Sequence, residues 1–228
     1  MEADEAYRLA FIDVDGVLNT RETEEGVIVP HFVSRFAKFV KDTRATPVLS
    51  TAWRLSPKSR ELVTVAFLQH GLPLPLSCTP HFKKAPRGDE ILTWLQHNTT
   101  NLFQRERLTA HPYDVEEGRF TEQNYTLPVR IRVSGFVVLD DKRMRTLKDG
   151  GTNRHLFTDS HFINTNPDLG FTEEDAVEAR RLVMGPIVED ECHHCGLRIV
   201  KQLEYRETGR LYCNMKCQHL YFHNKQFI

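Results

Sequence analysis

Two short apolar runs of this 228-residue chain end in acidic residues. The run LAFIDVDG carries Asp13 and Asp15 near its end, and the run GFVVLDD ends with Asp140 and Asp141. Both runs have the length and apolar content of strands that are buried on both faces of a sheet. Ligands of parallel α/β sheets collect beyond the carboxyl ends of such strands. These acids are therefore candidate site residues, although Asp-Gly pairs and strand-end acids also occur in ordinary turns.

Amphipathic segments separate the apolar runs. PHFVSRFAKFVKDT begins with Pro30 and keeps its apolar residues on one helical face, and Ser56 followed by Pro57 is a helix-start signal. RGDEILTWLQH and TEEDAVEARRLV, the latter capped by Thr172, predict two further helices. TPVLST, RHLFT and LPLPLSC predict short strands, the last only at a strand start or an edge because of its prolines. This alternation predicts an α/β fold with a doubly wound parallel sheet.

A third strand end adds hydroxyl groups to the acids, because TPVLST ends with Ser50 and Thr51. Three adjacent strand ends would direct four carboxylates and a hydroxyl into one crevice, where the carboxylates repel one another. A hard cation relieves this repulsion, and Mg²⁺ binds one or two carboxylates together with waters and a substrate phosphate. The acidic set therefore predicts a Mg²⁺ site.

The charge balance limits the classes of function. Thirty Lys and Arg residues stand against 31 Asp and Glu residues, which argues against a generally basic protein that coats nucleic acid. A local basic surface is compatible with this balance. MEADEAY has neither the apolar core of a secretory signal nor the character of a transit peptide, and no apolar run approaches the length of a membrane span. We expect a cytoplasmic or nuclear protein without a membrane partner; the sequence does not indicate its oligomeric state.

Four of the five cysteines lie close to the end of the chain. They form a Cys-x2-Cys pair, a spacer of 17 residues and a Cys-x3-Cys pair: Cys192, Cys195, Cys213 and Cys217. This spacing predicts a structural Zn²⁺ site, for which His193, His194, His219 and His223 are alternative ligands. We therefore expect a domain over residues 1–186, with an insertion at about 98–132, and a small zinc-binding module over residues 187–228.

Four motifs resemble those of the haloacid dehalogenase (HAD) superfamily, in that family's order. They are FIDVDGVL, VLS, the basic residue that opens RGDEI, and VVLDD. STAWR, RGDEILTWL and GFTEEDAVEA are similar to the HAD domain of Swiss-army-knife RNA repair proteins. The resemblance covers most of residues 8–184. It implies a HAD-like Rossmannoid fold and a phosphatase that acts in RNA repair.

The resemblance also implies roles for individual residues. Asp13 would attack phosphorus and form an aspartyl-phosphate, and Asp15 would protonate the leaving oxygen and then activate water. Ser50 would donate a hydrogen bond to a phosphoryl oxygen, with Thr51 as the alternative if the register differs by one. Gly16 would let the chain turn away without a side chain in front of the phosphate.

A cation and a metal site complete the implied machinery. Arg87 is the candidate that neutralises the transferred phosphoryl group, and Lys84 and Lys83 are the alternatives. Four residues would hold Mg²⁺: Asp13, Asp15, Asp140 and Asp141. Asp15 would act through its backbone carbonyl, and Asp140 would be either a second ligand or an orienting group.

Trp53 and Arg54 directly follow the second motif. An aromatic plane and a guanidinium at this position could contact a base or a second phosphate of the substrate. The alternative is that Trp53 packs under the loop while Arg54 lies in solvent.

The size of the substrate follows from the segment after the first motif. NTRETEEGVIVP is long enough for a flap and too short for a cap domain, so we expect an open site and a macromolecular substrate, a nucleic-acid end. The C-terminal module is similar to treble-clef or MYM-like zinc fingers, which bind nucleic acid or protein. Two alternatives are a catalytically silent HAD-fold interaction protein or ribonucleoprotein subunit, and a nucleotide or small-molecule phosphatase with the insertion as a lid.

Overall fold

The computed structural model describes residues 6–83, 85–102, 127–144, 146–151, 161–185, 189–191 and 198–200. Within these ranges, the central sheet has four parallel strands in the order β2-β1-β3-β4. They are β1 (Tyr7–Ile12), β2 (Ala45–Leu49), β3 (Val133–Asp140) and β4 (Phe162–Asn164).

The register of the sheet brings three strand ends level with one another. Ile12, the last residue of β1, pairs with Leu49 of β2 and with Leu139 of β3. The residues that follow these positions therefore leave the sheet side by side. They are Asp13, Ser50 and Asp140.

Five helices lie within the described part of the chain. They are α1 (Pro30–Thr43), α2 (Pro57–Gln69), α3 (Arg87–Asn98), α4 (Leu147–Gly150) and α5 (Glu173–Met184), and a 3₁₀ turn spans Ala52–Leu55. The predictions for α1, α2, α3 and α5 are confirmed. Local signals explain the boundaries: Ser56 caps α2, and Thr172 and Asp175 form a reciprocal capping box at α5.

Apolar side chains cover both faces of the sheet, as predicted for a doubly wound fold. Phe36 of α1 and Val183 of α5 belong to the cluster on one face. Trp94 of α3 belongs to the cluster on the other face, where its ring lies 5.3 Å from that of Phe11 in an edge-to-face arrangement. The helices thus hold the sheet between two apolar layers, which leaves the ends of the strands as the place for polar groups.

Two expectations about local structure are wrong. LPLPLSC forms no regular strand, although its end lies along the edge of β2. Leu76 N donates to Pro47 O at 2.8 Å, Leu49 N donates to Ser77 O at 3.0 Å, and a bridge joins Cys78 to Leu49. Pro73 and Pro75 lack the N–H groups that a ladder needs, which explains this outcome. The apolar spacing after Ser56 also predicts that Leu62, Val63 and Phe67 of α2 face inward; Val63 and Phe67 are buried, whereas Leu62 is exposed.

The described residues at the two ends of the predicted insertion lie next to each other. Thr100 N donates a hydrogen bond to Ile131 O at 2.9 Å, and Ile131 N donates to Asn98 O at 2.8 Å. The insertion therefore starts and ends at one point of the fold, although residues 103–126 lie outside the described ranges.

Part of the C-terminal segment is described. Strands β5 (Glu189–Glu191) and β6 (Arg198–Val200) form an antiparallel pair. The four predicted zinc ligands lie outside the described residues: Cys192, Cys195, Cys213 and Cys217. RHLFT also falls outside them. The zinc site and the division at residue 186 stay predictions.

None of the described helices is both long enough and apolar enough to cross a membrane.

Candidate active site

Backbone hydrogen bonds fix the start of the loop that follows β1. Asp13 N donates to Leu139 O at 3.0 Å, and Val14 N donates to the Asp13 carboxylate at 2.7 Å. The side chain of Val14 is fully buried, and so the chain is anchored directly after the first aspartate. Asp13 is thereby held at the end of β1 with only 3% of its surface exposed.

Gly16 lets this loop approach the loop after β3. Its φ of +72° lies in the left-handed region, and a Cβ at this position would stand 2.7 Å from Cβ of Asp141. Such a distance is shorter than van der Waals contact, so a side chain here would push the two acidic loops apart.

Three of the four predicted carboxylates form one cluster. Oxygen atoms of Asp13, Asp140 and Asp141 all lie within 4.8 Å of one another. Asp140 Oδ1 accepts a hydrogen bond from Lys142 N at 2.8 Å. Asp140 Oδ2 and Asp141 Oδ1 are buried and have no hydrogen-bond partner among the described residues. Oxygen ligands of this kind fit a hard divalent cation.

The electrostatics of the cluster favour the binding of a cation. Burial, followed by the negative charge of Asp13, raises the pKa of Asp140 well above its ordinary value, although Arg87 opposes this. Burial also raises the pKa of Asp141, with further contributions from Asp13 and Asp15. These carboxylates resist ionisation together in the absence of metal, and a bound cation would stabilise their charged form.

Arg87 is the cation that the structure brings to the cluster. Its Nη1 lies 3.6 Å from Asp13 Oδ2 and 3.5 Å from Asp140 Oδ2. Burial lowers the pKa of Arg87, but the carboxylates around it outweigh this effect and raise the pKa above its ordinary value. Of the two alternatives, Lys83 is exposed and Lys84 lies outside the described residues. Arg87 therefore contributes a buried positive charge beside both Asp13 and Asp140.

The two hydroxyl groups after β2 have different surroundings. Thr51 Oγ1 accepts a hydrogen bond from Trp53 N at 3.2 Å and so caps the 3₁₀ turn. Ser50 is fully buried, and its Oγ has no hydrogen-bond partner in the part of the chain that the structure describes. Ser50 N donates to Ile12 O at 2.9 Å, which fixes the residue beside Asp13. Ser50 thus has a hydroxyl available for a ligand, whereas the hydroxyl of Thr51 already has a structural role.

Asp15 lies outside the three-carboxylate cluster and binds two side chains. Trp53 Nε1 donates to both carboxylate oxygens, each at 3.0 Å, and Asn19 Nδ2 donates to Oδ1 at 3.0 Å. Asn19 Oδ1 in turn accepts a hydrogen bond from Gly16 N at 2.9 Å. The structure places Trp53 at the site, as a donor to Asp15.

Arg54 requires a correction. It is buried, with 1% of its side chain exposed, and so neither expected position, against a substrate or in solvent, describes it. Its Nη2 donates to Glu90 at 2.7 Å and to Pro80 O at 2.8 Å, and its Nε donates to Thr79 O at 2.9 Å. Burial lowers the pKa of Arg54, and Glu90 opposes this. Arg54 joins the second motif to α3 from inside the protein.

Three polar residues of the site were missed by the sequence reasoning. Glu90 forms an ion pair with Arg54, and its Oε2 also lies 3.8 Å from Nε of Arg87, so it links the two arginines. Asn164 donates to the carbonyls of Asp140, Asp141 and Lys142 at 2.9 to 3.2 Å. Asn19 holds Asp15. Glu90 stands within the RGDEI motif, which was the available signal; the two asparagines have no local signature.

A cavity of about 350 Å³ lies beside Asp15 and Asp141. Its walls carry more acidic than basic side chains, and they include Trp53. The charged lining residues are Asp15, Arg21, Glu24, Glu25 and Asp141. The cavity therefore offers space for a small molecule next to Asp15 and Asp141.

Comparison with protein families supports the sequence resemblance. Residues 9–110 match the family described as the HAD domain in Swiss Army Knife RNA repair proteins. This part of the chain is therefore similar to HAD domains. The match contains the first three motifs and ends before Asp140 and Asp141, which the structure nevertheless brings to Asp13. No curated protein and no solved structure is significantly similar to the chain.

Proposed function

We propose that the protein is a Mg²⁺-dependent HAD-type phosphohydrolase that works through an aspartyl-phosphate intermediate. The observation that carries the proposal is the meeting of Asp13, Arg87 and the Asp140–Asp141 pair at level strand ends in a HAD-like chain. The resemblance to HAD domains implies a phosphohydrolase, and an acidic cluster with one arginine suits the binding of a phosphoryl group together with a metal.

The acidic residues would have different roles at the metal site. Asp13, Asp141 and the backbone carbonyl of Asp15 would hold Mg²⁺. Asp140 is fully buried and faces Arg87, which suits a second ligand or an orienting group. When bound, Mg²⁺ supplies positive charge that offsets the negative charge of the attacking carboxylate and of the phosphoryl oxygens.

The chain's own groups supply the two chemical steps. The Asp13 carboxylate attacks phosphorus, the bond from phosphorus to the leaving oxygen breaks, and Asp15 gives its proton to that oxygen. In the second step Asp15 takes a proton from water, the water oxygen bonds to phosphorus, and the bond from phosphorus to the Asp13 oxygen breaks. Phosphate then leaves, and the Asp13 carboxylate and the protonated Asp15 are restored. Ser50 Oγ and Arg87 contact the phosphoryl oxygens in both steps.

A nucleic-acid end is the first substrate class that we propose. Its support is the description of the matching family and the short segment of residues 19–29 between the first motif and α1, which leaves no room for a cap domain there. RNA or DNA ends would then be the partner. The size of the cavity suits a second candidate, the phosphate of a nucleotide or another small molecule. Its acidic lining repels the many charges of a polynucleotide more strongly than those of a single phosphate group.

We infer from the cysteine spacing that residues 187–228 bind one structural Zn²⁺ and serve as a docking module for nucleic acid or for a protein. Cys192, Cys195, Cys213 and Cys217 would complete a tetrahedron and leave no open position for catalysis. Elemental analysis of protein purified without chelators is expected to find one zinc per chain. Absence of zinc in such protein would contradict this inference.

Mg²⁺ is expected to activate and to stabilise the protein. Phosphate release from an aryl phosphate should require Mg²⁺ and stop with EDTA. At free Mg²⁺ of about ten times Kd, binding should add about 1.4 kcal/mol to the free energy of unfolding. In the control variant Asp141→Asn, which removes one ligand, this stabilisation should largely disappear.

Rates of hydrolysis for a set of phosphate esters distinguish the proposed substrate classes. Oligonucleotides with 3′- or 5′-phosphates, mononucleotides and aryl phosphates should be compared at saturating Mg²⁺. Metal-independent or absent hydrolysis of all of them would overturn the proposal and leave a catalytically silent interaction protein. A strong preference for mononucleotides would select the second substrate class.

A further inference from the structure

We propose that Trp53 and Asn19 are positioning residues that hold Asp15 in the orientation needed for proton transfer to the leaving oxygen. The inference rests on the proposed function and adds two residues to it. Its basis is that Asp15 is an exposed side chain whose carboxylate nevertheless binds donors from two different loops. A free exposed aspartate samples several rotamers, whereas general acid catalysis needs one of them.

The two donors bind the carboxylate unequally. Oδ1 accepts hydrogen bonds from both Trp53 Nε1 and Asn19 Nδ2, whereas Oδ2 accepts one from Trp53 Nε1. Oδ2 therefore has more capacity left, and we assign to it the proton that moves to the leaving oxygen in the first step and returns from water in the second. The indole N–H can only donate, so this contact cannot reverse its polarity.

Asn19 is itself fixed at both ends of its amide. Its Nδ2 donates to Asp15 while its Oδ1 accepts from Gly16 N at 2.9 Å. The amide thereby closes the turn that contains Gly16, and it is buried. The orientation of Asn19 is set by the backbone of the same loop that carries both catalytic aspartates.

Thr51 and Arg54, which flank Trp53 in STAWR, fix the position of Trp53 in the loop after β2. Thr51 Oγ1 caps the turn at Trp53 N, and Arg54 anchors the next position through its buried pair with Glu90. Ser56 N donates to Trp53 O at 3.4 Å as α2 begins. The motif thus has a structural explanation, in which a capped and anchored turn presents one indole N–H to Asp15.

The test uses the dependence of rate on the leaving group. kcat/KM reports the step in which the leaving oxygen departs, and alkyl phosphates need its protonation far more than 4-nitrophenyl phosphate does. Trp53→Phe is expected to lower kcat/KM about tenfold or more for alkyl phosphates. For 4-nitrophenyl phosphate the loss should be less than about threefold, because that leaving group departs without a proton. Asn19→Ala should change this leaving-group dependence in the same direction.

The other tryptophan provides a matched control. Trp94 Nε1 donates to Ser77 Oγ at 2.6 Å, and its ring packs in the core beside Phe11. Trp94→Phe removes the same donor group away from Asp15 and should leave the leaving-group dependence of kcat/KM unchanged. A general structural effect would instead lower the rates of all substrates in parallel.

The outcomes separate this inference from the proposed function. Suppose that the wild type hydrolyses both alkyl phosphates and 4-nitrophenyl phosphate. If Trp53→Phe and Asn19→Ala then lower kcat/KM for the two equally or not at all, the positioning role is wrong and the phosphatase proposal stands. If the wild type hydrolyses neither alkyl phosphates nor 4-nitrophenyl phosphate, the phosphatase proposal is wrong, and the positioning role that rests on it is wrong as well. A steeper leaving-group dependence in either variant, with the dependence of Trp94→Phe unchanged, supports the positioning role.

Discussion

Asp13→Asn is expected to abolish Mg²⁺-dependent phosphate release. An amide does not form the acyl-phosphate, and it is a poorer ligand for Mg²⁺ than a carboxylate, so both nucleophile and metal site are affected. The expected loss in kcat is at least about a thousandfold. Steady-state hydrolysis of an aryl phosphate at saturating Mg²⁺ measures it.

The same substitution should leave the fold intact. Asn Oδ1 can still accept the hydrogen bond that Val14 N gives to Asp13. Arg87 keeps Asp140 and Glu90 as partners, and one repelling charge is removed from the cluster. The free energy of unfolding without metal should therefore change by less than about 1 kcal/mol. Denaturant unfolding in EDTA measures this quantity.

A carboxylate far from the cluster provides the control. Asp42 is on the surface and pairs with Arg180 at 3.3 Å. Asp42→Asn makes the same chemical change and should alter neither turnover nor Mg²⁺ dependence. Turnover by Asp13→Asn close to that of the wild type would refute the aspartyl-phosphate mechanism.

The sequence predicted helices better than strands for a physical reason. Pro30, Ser56 and Thr172 act on the turn that they begin, so a helix start is a local property. A strand exists only if a neighbour completes its ladder. The short β4 and the failed strand at LPLPLSC both depend on residues far away in the chain.

The site shows the same division between local and distant causes. Asp13 and Asp140 were predictable because strand ends of a parallel sheet meet at one edge, and the register confirms that they do. Arg87 was the first of three cationic candidates because it opens the predicted helix α3. Its contacts with Asp13 and Asp140 depend on residues far away in the chain, and the structure was needed to show them. The burial of Arg54 depends on Glu90, 36 positions further along, and no local pattern announces it.

Arg54→Ala is expected to cause the largest loss of stability among single substitutions near the site. The side chains of Arg54 and Glu90 are 1% and 5% exposed, so the change would leave a buried carboxylate without its closest cation. It would also remove the donors to Thr79 O and Pro80 O. Breaking one partner out of a buried pair costs about 3–5 kcal/mol.

Urea unfolding in EDTA measures this loss, and an exposed pair calibrates it. Arg180 and Asp42 form a surface ion pair, and Arg180→Ala should change the free energy of unfolding by less than about 0.5 kcal/mol. Glu90→Gln should also destabilise the fold, because it removes the charge that Arg54 and Arg87 share. The two large losses should not add in the double variant, since each breaks the same pair. A loss for Arg54→Ala as small as that for Arg180→Ala would show that the link from STAWR to α3 contributes little, and the anchoring assigned to Arg54 beside Trp53 would then be wrong.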